Sequence, residues 1–264
     1  MTRESKLEPS GVVSLTTDFG LRDHYVAAMK AVIAGVAPAV RVVDVSHEVP
    51  AHDWRGAAYL LSAAFADFPR GSVHVVVVDP GVGSERRALA VETRAGWFLG
   101  PDNGCLEDAV RASGFARAWR IVGSPRKVSA TFHGRDLFAP LAAALAAGSD
   151  ASRWLEATRW RPRRAVAPRA GKDGAVRGRV VWVDRFGNLV TTVERAAMAG
   201  ARRLRGVVGG MAVETFCRTY ADAPAGKPFF LWGSGERLEV SVREGSAAGV
   251  LEVGAGCAVR VWPC

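Results

Sequence analysis

A buried strand that ends in a carboxylate is the first feature of this sequence that could do chemistry. In the segment HVVVVDPGVGSERRALAV, residues 74–91, four valines precede Asp79, a glycine-containing turn follows, and then come Arg86 and Arg87. The valine run is typical of a strand buried on both faces, and the glycines allow the chain to reverse tightly. Asp79 and Arg86 could therefore meet as an ion pair, although a single pair of this kind is more often structural than catalytic.

Polar side chains also follow the other predicted strands in the first half of the chain. Ligands of an open α/β sheet bind outside the carboxyl ends of its strands, so these positions are candidates for a site. They are Asp18 and Asp23 after the first strand, Asp44, Ser46 and His47 after the second, Asp79 after the third, and Asp102 and Asn103 after the fifth. Their placement predicts one polar edge of the sheet.

Strands and helices alternate over the first 160 residues, which predicts a sheet with helices on its faces. The strand segments are 11–17, 40–46, 72–78, 88–93 and 96–100. Helical spacing predicts helices over 23–38, over 54–68 with Asp53 as the N-cap, and over 134–148. We therefore expect an N-terminal α/β domain over residues 11–160 with a mainly parallel central sheet.

The composition changes after this domain. Residues 160–175 are rich in Arg, Pro, Ala and Gly and predict a linker or a long crossover. The following segments are short, β-rich and without a convincing helix: GRVVWVD, NLVTTV, RLRGVV, MAVETF, PFFLWG, RLEVSV and CAVRVW. These features fit a small antiparallel barrel or sandwich, and of the two we expect a smaller C-terminal antiparallel β-barrel domain over residues 175–264.

Composition limits the classes of protein that this chain can be. Hydrophobic residues make up 49% of 264 residues, which is ample for packed cores, and no run of 18 apolar residues occurs. The polar N-terminus has no apolar core of the signal-peptide kind, so we expect a cytoplasmic protein without a membrane partner.

The net charge is +9, but the arginines are mostly scattered and no nucleic-acid motif accompanies them, so we expect no nucleic-acid partner. The spacing of the four cysteines favours free thiols over zinc or disulfides.

Parts of these motifs are similar to sites of three familiar kinds: protein kinases, P-loop proteins and metal-dependent hydrolases. The strings DFG and HGRD occur in the reverse of the protein-kinase order, and no Gly-Lys-Ser/Thr supports a P-loop. A metal-dependent hydrolase stays open, because several plausible ligands are present: Asp18, Asp44, His47, Asp79 and His133. No His-x-x-x-His spacing supports it, and Arg86 beside a metal cation would be unfavourable, so we expect no metal.

Seven sequence blocks, in order between residues 12 and 248, resemble the S-adenosylmethionine (SAM) hydroxide adenosyltransferases, SAM hydrolases related to the 5′-fluorinase and 5′-chlorinase enzymes. The blocks are TTDFG with the following LRDHYVAAMK, DVSHEVP, VVVVDPGVGSERR, GPDNG, TFHGRDLFAP, VDRFGNLVTT and GSGERLEVSVREGSAA. The resemblance implies an α/β domain followed by a β domain. It also implies a homotrimer, with each active site between the N-terminal domain of one subunit and the C-terminal domain of its neighbour.

The resemblance also implies roles for individual residues. Asp79, Arg86 and His133 match the set that handles the attacking water. The matching substrate-binding positions are Asp18 for the ribose hydroxyls, Asp23 in the same block, Asp184 and Asn188 for the methionine amino group, Ser234 near its carboxylate, and Phe186 with the backbone of 242–247 at the adenine end. The family commonly has asparagine where this chain has Arg243, and often where it has Thr192.

The reaction implied is hydrolysis of SAM to adenosine and L-methionine, by in-line attack of an activated water on C5′. SAM is then the substrate, and no cofactor is expected. A SAM-dependent 5′-halogenase is a weaker alternative, because Asp79 stands where those enzymes typically have a tyrosine and would repel a halide. A non-catalytic protein that binds or senses an adenosyl ligand is the other alternative, but it would not need Asp79, Arg86 and His133 together.

Overall fold

The computed structural model describes residues 7–164, 170–198 and 200–264. The chain divides into two compact units, Met1–Arg164 and Ala165–Cys264. Residues 165–169 of the predicted linker lie outside the described residues. In the part of the chain that the structure describes, none of the helices has the length and apolar character needed to cross a bilayer.

The N-terminal unit is built on a seven-stranded sheet. Its strands are β1 (Val12–Thr17), β2 (Arg41–Ser46), β3 (Ser72–Val77), β4 (Ala88–Thr93), β5 (Gly96–Pro101), β6 (Phe115–Ile121) and β7 (Leu155–Ala157). They lie in the order β2-β1-β3-β5-β4-β6-β7. Pairing is parallel from β2 to β5 and antiparallel from β5 to β7, so the predicted α/β class is confirmed as a mixed sheet.

The antiparallel part follows from the length of one connection. Only Arg94 and Ala95 separate β4 from β5, whereas a parallel connection needs a crossover of a dozen or more residues. The two strands can therefore pair only as a hairpin. Strands β6 and β7 then extend the sheet beyond β4, and neither of them was predicted.

Helices cover both faces of this sheet. They are α1 (Tyr25–Val36), α2 (Trp54–Ala64), α3 (Glu107–Ala112) and α4 (Ala139–Ala146). Asp53 caps α2 as predicted, accepting from the backbone N–H of Gly56 at 3.0 Å. The helix expected over 134–148 begins with a π-helical turn, Gly134–Phe138, before α4, and the short helix α3 was not predicted.

The valines of β3 show why this strand is apolar throughout. Val75 and Val77 pack into the core on the α1 and α4 side, with residues such as Ile33. Val76 and Val78 pack into the core on the α2 and α3 side. Because β3 lies inside the sheet with helices on both faces, every side chain along it is buried, and its carboxyl end at Asp79 is held rigidly.

The C-terminal unit is a nearly closed antiparallel barrel, as expected. Its strands are β8 (Val176–Val183), β9 (Leu189–Glu194), β10 (Leu204–Val208), β11 (Met211–Val213), β12 (Pro228–Trp232), β13 (Arg237–Val242) and β14 (Ala258–Pro263). They lie in the order β11-β10-β14-β8-β9-β13-β12, and a bridge between Phe216 and Phe230 brings the chain after β11 to β12. A short helix that the sequence did not predict, α5 (Ala247–Leu251), is capped by Ser246.

Candidate active site

Asp79 and Arg86 form a two-point ion pair at the carboxyl end of β3. Arg86 Nε donates to Asp79 Oδ1 at 3.0 Å, and Arg86 Nη2 makes a short hydrogen bond to Asp79 Oδ2. The two side chains are only 5% and 12% exposed, for Asp79 and Arg86 respectively. The planar guanidinium matches the carboxylate, so each group fixes the orientation of the other.

His133 completes a cluster of three side chains. Its Nδ1 lies 2.6 Å from Arg86 Nη2. A guanidinium nitrogen only donates, so Nδ1 must accept, and His133 is then neutral with its proton on Nε2. Burial and the adjacent Arg86 lower the pKa of His133, while Asp79 and Asp136 oppose that shift. The structure thus brings together the three residues Asp79, Arg86 and His133, hereafter the triad.

Glycine allows the segment carrying Arg86 to approach the segment that precedes His133. Gly83 has a φ of +79°, and a Cβ at this position would lie 2.5 Å from the carbonyl oxygen of Ala130. Any side chain at residue 83 would therefore separate the two segments. The glycine-containing turn seen in the sequence serves to bring Arg86 within reach of His133.

Asp136 anchors the segment that carries His133. Its carboxylate is 1% exposed and accepts two hydrogen bonds from Arg135, at 2.7 and 2.8 Å, and one from the backbone N–H of Ser129 at 2.9 Å. Ser124 makes a short hydrogen bond to the backbone carbonyl of Asp136. The bonds from Arg135 lower the pKa of Asp136, so it stays ionised. The sequence analysis did not assign Asp136, although it stands three residues after His133.

Arg87, the neighbour of Arg86, belongs to a separate network. It bonds Asp102, with Nε 2.8 Å from Oδ2, and donates to Thr158 Oγ1 at 3.2 Å. Trp160 Nε1 donates to the other oxygen of Asp102 at 2.9 Å. The two adjacent arginines thus hold different carboxylates, and Asp102 ties β5 to the end of the unit.

Asp18 and Asp23 lie in the loop after β1. Asp18 Oδ2 accepts from the backbone N–H of His52 at 2.9 Å, and Asp23 is exposed. Within residues 7–164, 170–198 and 200–264, no hydrogen bond or ion pair joins either side chain to the triad. Sequence reasoning placed both at the same edge of the sheet, and the structure places them in the loop that follows β1.

A cluster of aromatic residues connects the loop after β1 to the segment that carries His133. The ring of Phe132, next to His133, lies 6.0 Å from that of Phe19 and 5.2 Å from that of Tyr25, both nearly edge-on. Phe19 and Tyr25 are themselves 5.5 Å apart. The loop bearing Asp18 is therefore packed against the segment bearing His133, and these aromatic residues were missed in the sequence.

Potential metal ligands at this edge already have partners. His47 is buried, with Nδ1 2.9 Å from Thr17 Oγ1, and Asp44 accepts from Lys30 Nζ at 2.5 Å. Over the described ranges, no group of three His, Cys, Asp or Glu side chains is arranged to hold a metal ion.

Asp184 organises a turn between β8 and β9 in the C-terminal unit. Its Oδ1 accepts from the backbone N–H groups of Phe186 and Asn188, at 2.8 and 2.9 Å, and its Oδ2 accepts from the Asn188 amide at 2.8 Å. Phe186 is 76% exposed. Because Oδ1 already accepts twice, Oδ2 keeps the acceptor capacity that a ligand could use.

The same three residues line a groove of about 860 Å³, hereafter the C-terminal groove. Its lining residues are Asp184, Phe186, Asn188, Tyr220, Ala221, Val242, Arg243, Glu244 and Gly245. The backbone segment predicted to contact adenine, 242–247, therefore contributes to it. Ser234 lies in the exposed turn between β12 and β13 and does not line the groove. Tyr220 was not identified from the sequence, because it lies in a loop without periodicity.

Comparisons with known proteins agree with this architecture. The family model described as SAM hydroxide adenosyltransferase N-terminal domain matches residues 13–154, and the model of the C-terminal domain of that family matches residues 178–260. The chain is an α/β protein with an appended β-barrel. It belongs to the SAM hydroxide adenosyltransferase family, which confirms the resemblance inferred from the sequence.

Individual relatives support the same assignment. An (R)-S-adenosyl-L-methionine hydrolase of Salinispora arenicola is 41% identical, over 94% of this chain and 97% of the relative. A fluorinase of an Actinoplanes species is 27% identical, over 80% of this chain and 84% of the relative. The crystal structure of an uncharacterised conserved protein from Thermotoga maritima superposes with a TM-score of 0.85 at 32% identity, over 95% and 99% of the two chains.

Proposed function

We propose that this protein hydrolyses SAM to adenosine and L-methionine. Membership of the family and the similarity to a named SAM hydrolase support the reaction. The observation that carries the proposal is the triad, in which one guanidinium nitrogen bonds both a buried carboxylate and a neutral imidazole. No cofactor enters the proposal.

The chemistry requires help for the nucleophile rather than for the leaving group. The sulfonium of SAM leaves C5′ as the neutral thioether of methionine, so no acid is needed to expel it. Water, with a pKa of about 15.7, is a poor nucleophile. In the proposed step the water oxygen forms a bond to C5′, the C5′–S bond breaks, and one proton is released.

The triad suits this step through Arg86. A guanidinium beside the water favours its hydroxide form, and Asp79 holds the guanidinium in place. The lone pair of His133 Nδ1 is occupied by the hydrogen bond from Arg86. The water can therefore transfer its proton to Nδ1 only after it has displaced Arg86 from that nitrogen. Nε2–H of His133 can meanwhile donate to an oxygen and orient it.

The substrate-binding roles are proposed from the family match. They are supported by carboxylate oxygens of Asp18 and Asp184 that can still accept a hydrogen bond. Asp18 would hold the ribose hydroxyls through the oxygen that His52 does not occupy. Oδ2 of Asp184, with Asn188, would hold the methionine amino group. Phe186 and segment 242–247 would contact adenine, while Asp23 and Ser234 would contact the rest of the substrate.

We propose a homotrimer whose active sites each combine the N-terminal unit of one subunit with the C-terminal unit of the next. The triad and the C-terminal groove belong to different units, so a complete site needs both. Light scattering on the purified protein measures the subunit number directly, and a monomer would contradict this part of the proposal. We also propose a cytoplasmic location, which fractionation of the source cells would test.

The function is tested by incubating purified protein with SAM in the presence of EDTA and separating the products by chromatography. Adenosine and methionine are expected in equal amounts, and none should form with Arg86→Ala. Ligand binding by calorimetry without turnover would instead identify a non-catalytic adenosyl-binding protein. Adding fluoride or chloride tests the halogenase alternative, in which a 5′-halo-5′-deoxyadenosine would form. Asp79 would repel a halide, and the cation that would attract it, Arg86, is already bonded to Asp79 and His133, which argues against that product.

A further inference from the structure

Tyr220 lines the C-terminal groove, and residues outside the groove hold it in place. It begins a single helical turn, Tyr220–Asp222, closed by a reciprocal capping box between Thr219 and Asp222. Its ring lies edge-on to Phe229 at 6.1 Å, and its hydroxyl donates to Glu239 Oε2 at 3.1 Å. The residue is nevertheless 45% exposed, so one side of it is available to a ligand.

Glu239 has a fixed place on β13, where it lies opposite Leu231 on one neighbouring strand and Val190 on the other. A side chain at Gly233 would occupy the position of Glu239 Oε1. The carboxylate therefore packs directly against the backbone of Gly233, while its other oxygen faces the Tyr220 hydroxyl. Glu239 itself does not line the groove.

The electrostatic setting of the two side chains agrees with this contact. Burial raises the pKa of Glu239, and the hydrogen bond from Tyr220 opposes that shift while Asp184 adds to it. Burial first, and then Glu239, raises the pKa of Tyr220 to about 12. Ser241 opposes the shift and lowers the pKa of Tyr220.

We infer that Glu239 is a positioning residue of the C-terminal groove: by holding the Tyr220 hydroxyl, it fixes the Tyr220 ring as one wall of the site for the adenosyl part of the substrate. This inference rests on the proposed function, which places the adenosyl group in this groove. A ring fixed before binding does not lose rotational freedom when the ligand arrives, so the pair increases affinity without touching the reacting atoms.

Carbon-13 labelling of tyrosine tests the contact itself. The chain has three tyrosines, and Tyr220→Phe identifies the ring carbon signal of Tyr220. At pH 10.5 Tyr220 should remain protonated in the unchanged protein and should begin to ionise in Glu239→Leu. Identical titration of the signal in both proteins would show that Glu239 does not hold the hydroxyl.

Calorimetry with adenosine tests the consequence for binding. Tyr220→Phe and Glu239→Leu should each weaken adenosine about three- to tenfold, the usual range for one hydrogen bond, and the loss for SAM should appear in KM rather than in kcat. Glu239→Gln retains an acceptor and should restore most of the affinity. Glu236→Gln, which alters an exposed ion pair with Arg195 in the preceding turn, is the matched control.

A double-mutant cycle separates positioning from general damage to the barrel. If Glu239 acts through the hydroxyl, Glu239→Leu should cost little further affinity when Tyr220 is already phenylalanine. An equal loss in both backgrounds would overturn the inference. These measurements use adenosine, so failure of SAM turnover in the unchanged protein would contradict the proposed function alone. Failure of the unchanged protein to bind adenosine would overturn the inference as well.

Discussion

Arg86 and His133 are joined by a 2.6 Å hydrogen bond whose direction is fixed, because Arg86 Nη2 can only donate and His133 Nδ1 must accept. A protonated imidazole has no acceptor and would face the guanidinium with like charge. The contact therefore exists only while His133 is neutral, and the state of the triad depends on pH.

The first prediction concerns this pH dependence. The pKa of His133 lies below its ordinary value of 6.5. We expect kcat to fall as the pH decreases through that lowered pKa, and the contribution of His133 to stability, fully present above 6.5, to be lost over the same interval. His133→Asn keeps an acceptor for Arg86 but does not titrate, so it should turn over about 10²–10⁴ times more slowly and lack this acidic limb. An unchanged limb in His133→Asn would assign the titration to another group.

A second prediction uses two adjacent arginines as test and control. Arg86→Lys cannot bond both oxygens of Asp79 and reach His133 at once, so kcat should fall about 10²- to 10³-fold, as for loss of one aimed donor. Arg87→Lys changes a guanidinium in the Asp102 network and should leave the rate within about twofold of the original. Equal losses from the two variants would show that the effect is general and not located in the triad.

A third prediction concerns the close approach at Gly83. Gly83→Ala meets the carbonyl of Ala130 and also a φ of +79°, so it should lower the free energy of unfolding by more than the roughly 1–3 kcal/mol expected for backbone strain alone. Gly174→Ala is the control, because Gly174 has a φ of +74° with no atom within 4 Å of the added Cβ. Urea unfolding measures both. Equal destabilisation would show that the approach at residue 83 is not tight in solution.

Asp136 carries a prediction for acid stability. Its pKa lies below the ordinary value of 3.8, so its contribution to stability is present above 3.8 and is lost as the pH falls through the lowered pKa. Asp136→Asn should remove this dependence and lower the free energy of unfolding by about 1–3 kcal/mol, because the amide cannot accept all three hydrogen bonds from Arg135 and Ser129. Asp67→Asn, at an exposed acid, is the control, and calorimetric melting at several pH values measures both. A similar acid dependence in Asp136→Asn would contradict the role of its carboxylate.

The fifth prediction separates two functions of Asp184. Asn at this position can still accept from the backbone N–H groups of Phe186 and Asn188, although it has no charge and loses the bond from the Asn188 side chain. Asp184→Asn should therefore preserve the turn and the affinity for adenosine. Affinity for SAM should fall about ten- to hundredfold, as for loss of a hydrogen bond to a charged group. Calorimetry with both ligands makes the comparison. Loss of adenosine binding as well would place Asp184 in the adenosyl part of the site.

Much of the N-terminal architecture could be predicted because its signals are local. The valines of β3 follow one another without interruption, and Asp53 stands directly before a helical pattern. Strands β6 and β7 escaped prediction because their partners are remote in sequence: β6 pairs with β4, and β7 pairs with β6. Helix α3 has only six residues, too few to establish a periodic pattern.

The parts of the site that lie within one sequence motif could be predicted. Contacts between residues that are far apart in the chain could not. Asp79 and Arg86 are seven residues apart within the segment 74–91, whereas Gly83 and Ala130, which approach each other closely, are 47 residues apart. Glu239 is one of the polar residues that alternate with apolar residues along β13. Nothing in the sequence distinguishes it from a solvent-exposed glutamate. Its role depends on a tyrosine 19 residues earlier and on the absence of a side chain at Gly233.

The different partners of Arg86 and Arg87 have a consequence for natural variation. Consecutive residues entering an extended strand point in opposite directions, so the direction of each guanidinium depends on how many residues separate it from the start of β4 at Ala88. Inserting one residue between Arg87 and Ala88 would reverse the two directions and turn the wrong arginine toward His133. Chains that keep all three charged groups should therefore keep Arg86 two residues before β4, even where the sequence of the loop after Asp79 varies.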